Sequence, residues 1–160
     1  YGISAFGLSQ RLKVPRKEAA DLIETYFKLY PSVKAYMSAA IGKAREKGYV
    51  ETLYGRRRPT PDVKSSNFLV RNAAERAAQN MPVQGTEADL MKRAMIVLDQ
   101  KLPKGADLIM QVHDSLIVEC DEKLATEVAD LLKTTMENVA PELKVKLAVD
   151  VSTGKNWGEL

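Results

Sequence analysis

Leu108-Ile109-Met110-Gln111-Val112-His113-Asp114-Ser115-Leu116-Ile117-Val118-Glu119-Cys120-Asp121 decides how the chain is read. Apolar runs rich in strand-forming residues flank His113-Asp114-Ser115, and Asp and Ser are turn residues. The stretch therefore predicts an antiparallel hairpin with a carboxylate at or near its tip. Strands fix the direction of such a carboxylate and suit it to hold a metal ion. Taken alone, Gln111 to Glu119 fits a surface turn containing an acid better than a metal site, because a short motif fixes no chemistry.

Working outward, Leu124, Val128, Leu131, Leu132, Met136 and Val139 recur at helical spacing, which predicts a helix over Asp121–Val139. Asp121 is its candidate cap and Pro141 its stop. Leu143, Val145, Leu147, Val149 and Val151 alternate with Lys144, Lys146, Ala148 and Asp150, predicting a strand with one wet face. Ser152 to Trp157 reads as a closing turn with an anchoring aromatic. Pro103-Lys104-Gly105 is a loop before the hairpin.

Upstream, Asn67 to Leu102 is the longest regular stretch. Val70, Ala73, Ala74, Ala77, Ala78 and Met81 give it a small-residue face, and Pro82 and Gly85 predict a bend or break. Tyr49 to Tyr54 alternates like a strand, Gly55 marks a turn, and Pro59 and Pro61 force an extended exit. Before it come helices over Arg16–Tyr30, stopped by Pro31, and Ser32–Lys47, with Ser32 as cap and Gly48 as stop. The short connection makes these two helices neighbours. A shorter, mixed segment precedes Leu12. Helices followed by a small antiparallel sheet make the fold class α+β, with helices packed on that sheet.

The net charge of +3 hides an asymmetry, since residues 1–80 carry +8 and residues 81–160 carry −5. A basic half suggests a polyanion partner and an acidic half suggests cation sites, although an ordinary solvated surface fits the counts as well. Cys120 is the only cysteine, so no intrachain disulfide forms, which fits a reducing, cytoplasmic setting. No apolar run approaches the roughly 18 residues of a membrane span, so no membrane partner is expected. Tyr1 in place of Met, with a helical segment close behind, suggests a cut fragment.

Two further groups carry candidate chemistry. Arg56-Arg57-Arg58 cannot all be buried, so they are solvated or they grip an anion; alone, a solvated turn is the better reading. Arg76, Asn80 and Gln84 stand at i, i+4 and i+8, one stripe of a continuous helix. One arginine and two amides can meet phosphates and minor-groove acceptors, and they can equally face solvent.

Five stretches in order resemble the family A DNA polymerases. Tyr1-Gly2-Ile3-Ser4-Ala5-Phe6-Gly7-Leu8 resembles the end of the fingers motif. Gly55-Arg56-Arg57-Arg58, Pro61-Asp62 and Ser65-Ser66-Asn67 resemble the arginine-rich hairpin. Glu75 to Asp89 is similar to the long palm helix, Gln111-Val112-His113-Asp114 to the last catalytic motif, and Gly154-Lys155-Asn156-Trp157 to the family's ending. Five motifs in order over nearly the whole chain are specific where one would be weak.

The resemblance implies late fingers helices over residues 1–48 and a palm portion over residues 49–160. It implies template-directed addition of deoxynucleotides from triphosphates to a primer 3′-hydroxyl on DNA, with two Mg²⁺ ions. Asp114 would bind metal and His113 would position the primer end. Tyr1 would lie near the templating base, and Arg76 and Gln84 would touch primer-template DNA, with Asn80 beside them. Arg56, Arg57 and Arg58 would contact the DNA backbone. The second carboxylate and the residues gripping the triphosphate would come from polymerase segments upstream. The chain alone would then not extend a primer, and its uncovered apolar faces would leave self-association open to it. Ser115 departs from the family's Glu after His-Asp. That departure leaves a second reading, a polymerase-like chain that binds DNA without catalysis. A third, an unrelated metal hydrolase using His113, Asp114 and Glu119, has no use for the arginines or the long helix.

Overall fold

Ser4 opens the first helix, its hydroxyl accepting from the Gly7 amide at 3.0 Å. In the computed structural model, which describes residues 2–160, helix α1 runs over Ala5–Leu12 and ends at Lys13 in the left-handed region, φ 55. The role expected of Tyr1 lies outside the described residues. Helix α2 spans Arg16–Leu29, with Pro15 before its first turn. Helix α3 spans Pro31–Lys47. Pro31 sits at its first position, where a missing N–H goes unnoticed, so it opens α3 as well as ending α2. Ser32 consequently lies inside the first turn and does not cap. Gly48 ends α3 at φ 76.

Strand β1 (Tyr49–Glu51) pairs antiparallel with β2 (Arg57–Pro59), Val50 opposite Arg58. The strand expected to reach Tyr54 stops at Glu51 because Thr52 closes a turn. Its amide donates to the Arg56 carbonyl at 2.9 Å, its hydroxyl accepts from the Arg56 amide at 3.1 Å, and its carbonyl accepts from Gly55. After a 3-10 turn at Pro61–Lys64, the Asn67 carboxamide oxygen accepts from the Leu69 amide at 2.9 Å and caps helix α4, Phe68–Lys101.

Helix α4 is continuous through Pro82, so the break allowed for there does not occur. Proline removes one ladder hydrogen bond and its ring crowds the preceding turn. Here Ala78 and Met81 are buried on the core side, and side chains from outside the helix take up carbonyls on either side of Pro82. The Tyr36 hydroxyl donates to Gln79 at 3.2 Å and an Arg56 Nη to Gly85 at 2.7 Å. Packing on the core side holds the helix through the proline, and the two side-chain donors bind carbonyls near it rather than replace its lost bond.

The chain forms two compact units, Tyr1–Gly85 and Thr86–Leu160, each with its own core. In the first, Ala44, Val50, Val63, Ala78 and Met81 pack together. In the second, Met91, Ala94 and Leu98 of α4 pack with Leu116, joined by Leu108, Leu131, Leu132 and Met136. Its sheet is β3 (Ala106–Val112) paired antiparallel with β4 (Ser115–Cys120), and its last long element is α5 (Ala125–Glu137).

Three expectations for the second unit change. Asp121 makes no side-chain cap; it precedes a 3-10 turn, Glu122–Leu124, from which α5 starts. Leu143–Val151 alternates like a strand but joins no sheet among the described residues, where β3 and β4 pair with each other. It is pinned by its own amide instead, Val149 N–H donating to the Glu137 carboxylate at 3.1 Å. Trp157 is 60% exposed and starts a 3-10 turn, so it anchors nothing among the described residues. Helices with two small antiparallel sheets nonetheless bear out α+β. No helix among the described residues is long and apolar enough to cross a membrane.

Candidate functional site

In the second unit, the pairing of Val112 with Ser115 leaves His113 and Asp114 as a two-residue turn. His113 has φ 53 while Asp114 does not enter positive φ, the sign pattern of a type II′ turn, which usually places glycine first. A β-bulge between Leu108 and Met110 shifts the register below the tip, so β3 twists more strongly as it approaches the turn. The Gln111 carboxamide donates to the His113 carbonyl at 3.1 Å and ties down the peptide that joins His113 to Asp114. Leu116 is buried in the core next to the tip, whereas His113, Asp114 and Ser115 are exposed. The hairpin therefore holds its tip from a packed base, as the sequence predicted.

The Asp114 carboxylate has no hydrogen bond or ion pair among the described residues. As an exposed, hard oxygen donor on a fixed turn it fits Mg²⁺, which takes one or two carboxylates and keeps several waters or phosphate oxygens. Ser115 adds a neutral hydroxyl. No group of three His, Cys, Asp or Glu among the described residues could hold a metal ion, so Asp114 fits as one ligand of a site and not as a complete one. Glu119 pairs with Asp107 toward the base of the hairpin, four residues along β4 from Ser115, roughly 13 Å at ~3.3 Å per residue. The hydrolase constellation of His113, Asp114 and Glu119 is not assembled.

In the first unit, Arg76 and Gln84 are exposed on α4 and Asn80 is half-buried. None of the three side chains has an internal polar partner among the described residues, so their donors stay available. Asn80 and Gln79 line a cleft of about 490 Å³ together with Tyr36 and Met37. Gly2 lies against the stem of Arg76, where an added Cβ would fall 3.3 Å from Cγ. Partial burial pushes the Tyr36 phenol pKa up, keeping it a donor to Gln79.

The three arginines separate. Arg56, though exposed, donates to the Gly85 carbonyl of α4. Arg57 lies over the Tyr49 ring, 4.5 Å from its centroid, with Nε 3.6 Å from the Glu51 carboxylate. A hydrogen bond from the Lys43 ammonium, and then the charges of Lys43 and Arg57, hold the Glu51 carboxyl below its ordinary pKa. Arg58 alone of the three is exposed with no internal polar partner among the described residues. Sequence reasoning missed the bond from Arg56 to α4, the grip of Gln111 on the turn, and the junction of Gly85 with Thr52. Only Gly85 left a signal, a glycine three residues after a proline within a helix-forming run.

Comparison with known proteins agrees over almost the whole chain. A sequence model of DNA polymerase family A matches residues 1–159. DNA polymerase I of Deinococcus radiodurans is 51% identical over 158 residues, covering 98% of this chain and 16% of the relative. The thermostable DNA polymerase I of Thermus filiformis is 51% identical over 160 residues, covering 99% of this chain and 19% of the relative. Among solved structures, the POL domain of Pol1 from M. smegmatis, in complex with DNA primer-template and dNTP, superposes with a TM-score of 0.90. It is 42% identical, and the match covers 98% of this chain and 28% of that one. The chain thus spans less than a fifth of the length of these curated relatives.

Proposed function

Because the chain belongs to DNA polymerase family A, we propose that it is part of a DNA-directed DNA polymerase, a nucleotidyltransferase that extends a primer 3′-hydroxyl on a DNA template. Residues 1–48 are read as late fingers and residues 49–160 as a palm portion. The primer oxygen bonds to the α-phosphorus of the incoming deoxynucleoside triphosphate, and pyrophosphate leaves.

One observation carries the reading: Asp114 is presented at the tip of a bulged, core-anchored hairpin, with its carboxylate uncommitted among the described residues. Asp114 is the residue of this chain that would hold Mg²⁺. When bound, that ion activates the attacking hydroxyl and neutralises phosphate charge. Its other ligands are assigned to the polymerase segments that this chain does not span. His113, adjacent on the turn, is read as positioning the primer end, and Tyr1 as flanking the templating base. Arg76 and Gln84 are read as DNA contacts, with Asn80 beside them and Arg58 as a phosphate contact. The exposure of Arg76, Gln84 and Arg58, and the donors of all four uncommitted among the described residues, support this.

The test is primer extension by the polymerase that carries this chain, with and without Asp114→Asn. Loss of extension with primer-template affinity retained is expected. Extension at the normal rate by the variant would overturn the reading. The alternative, DNA binding without catalysis, predicts no Mg²⁺-dependent extension by the unaltered polymerase.

A further inference from the structure

Gln84 sits in the intrinsically weakest turn of α4. Pro82 and Gly85 are the two poorest helix formers, by about 3 and about 1 kcal/mol relative to alanine. A helix weakened in this way does not by itself fix where the Gln84 side chain points. Two contacts from the β1–β2 hairpin converge next to it, and a third set of bonds joins them. The Arg56 guanidinium donates to the Gly85 carbonyl at 2.7 Å. Thr52, 4% exposed, packs so close to Gly85 that an added Cβ would lie 2.7 Å from its Cγ2. Thr52 in turn holds Arg56 through both its amide and its hydroxyl.

We propose that Arg56 is a positioning residue: its guanidinium fixes the Gly85 carbonyl and so sets the direction in which Gln84 meets DNA. This rests on the reading of Gln84 as a DNA contact. It separates Arg56 from Arg58, which the same arginine run supplies as a phosphate contact. A charge-assisted donor is suited to the task because a second hydrogen bond on a helix carbonyl must compete with the ladder. The absence of a side chain at Gly85 is what lets Thr52 approach.

The experiment uses the polymerase that carries this chain. Primer-template binding is measured by fluorescence anisotropy over a potassium chloride series for Arg56→Met, Arg58→Ala, Gln84→Ala and the Arg56→Met/Gln84→Ala double variant. Removing one phosphate-binding side chain lowers the slope of log affinity against log salt by about 0.9. Arg58→Ala should lower it so, whereas Arg56→Met should keep the normal slope and weaken binding by about two- to tenfold, the range of one hydrogen bond. The double variant should bind no more weakly than Gln84→Ala alone. Arg56→Lys, which keeps a donor of similar reach, should recover most of the loss. Thermal midpoints give a reading independent of DNA: Arg56→Met and Gly85→Ala break one junction, so their shifts should not add.

A salt slope reduced by Arg56→Met as much as by Arg58→Ala would make Arg56 a phosphate contact and overturn the proposal. Additive midpoints, or losses in affinity that multiply in the double variant, would overturn the clamp while leaving Gln84 a DNA contact. A Gln84→Ala variant with normal affinity would instead overturn the DNA role on which the proposal rests.

Discussion

The Gln111 carboxamide donates to the His113 carbonyl at 3.1 Å, where β3 enters the tip of the β3–β4 hairpin. The bond matters because His113 holds φ 53, a conformation that costs a non-glycine residue about 1–3 kcal/mol. The peptide that Gln111 restrains carries the Asp114 amide, so a loosened turn would let the carboxylate wander.

Gln111→Leu removes the donor while keeping comparable bulk. Hydrogen exchange at the amides of Asp114 and Ser115 should accelerate, and global stability should fall by only about 0.5–1.5 kcal/mol. In the polymerase, the single-turnover extension rate should fall by a larger factor than DNA affinity. Exchange identical to that of the unaltered protein would show that the bond does not restrain the turn.

Leu98 is fully buried between Met91, Ala94 and Leu116, whereas Leu69, at the start of the same helix, is 75% exposed. Leu98→Ala should cost about 2–5 kcal/mol, the lost burial plus the cavity left behind. Leu69→Ala should stay within about 0.5 kcal/mol. Urea unfolding of both variants checks the contrast, and equal losses would contradict the core assignment.

Acid should weaken the first unit through Glu51. Lys43, and then Arg57, hold its carboxyl below the ordinary value of 4.5, so the folded state binds its proton less readily than the unfolded chain. The stabilisation is therefore present above the ordinary value and is lost as pH falls through the depressed one. Glu51→Gln removes the titrating group. Thermal midpoints measured from about pH 6 down to about pH 3 should converge for the two proteins at the acid end. A constant gap between them would show that Glu51 contributes nothing to the acid sensitivity.

The sequence exposed the β3–β4 hairpin because alternation and turn chemistry are local. His113, Asp114 and the flanking strands stand where that pattern puts them. The bulge by Ile109 and the φ of His113 were not legible, since neither changes the apolar pattern of the strands. Pro82 argued for a break, yet α4 runs on through it with Ala78 and Met81 packed in the core, and the outside donors to nearby carbonyls come from Tyr36 and Arg56, far away in sequence. Leu143–Val151 carries the alternation of a strand, but pairing is decided by a neighbouring backbone that the pattern cannot supply. The arginine run hid a division of labour for the same reason. Arg56, Arg57 and Arg58 look alike in sequence and differ only in what the fold brings near them.

Ser115 sets the last expectation. It follows Asp114 at the head of β4 and is exposed, and its hydroxyl is neutral. A glutamate there would add one negative charge beside Asp114, and hard cations bind more tightly as the charge on their ligands grows. In the polymerase carrying this chain, Ser115→Glu should therefore lower the Mg²⁺ concentration that gives half the maximal extension rate. Ser115→Ala should change it little, because no charge is lost and a hydroxyl is at most a partner to a metal-bound water. Asp114→Asn, which removes the only carboxylate of the turn, should abolish extension and leave DNA binding largely intact. A Mg²⁺ titration of single-turnover incorporation separates the three. If Ser115→Ala cripples the rate as deeply as Asp114→Asn, the hydroxyl itself is required at the tip, and charge is not what distinguishes serine from glutamate there.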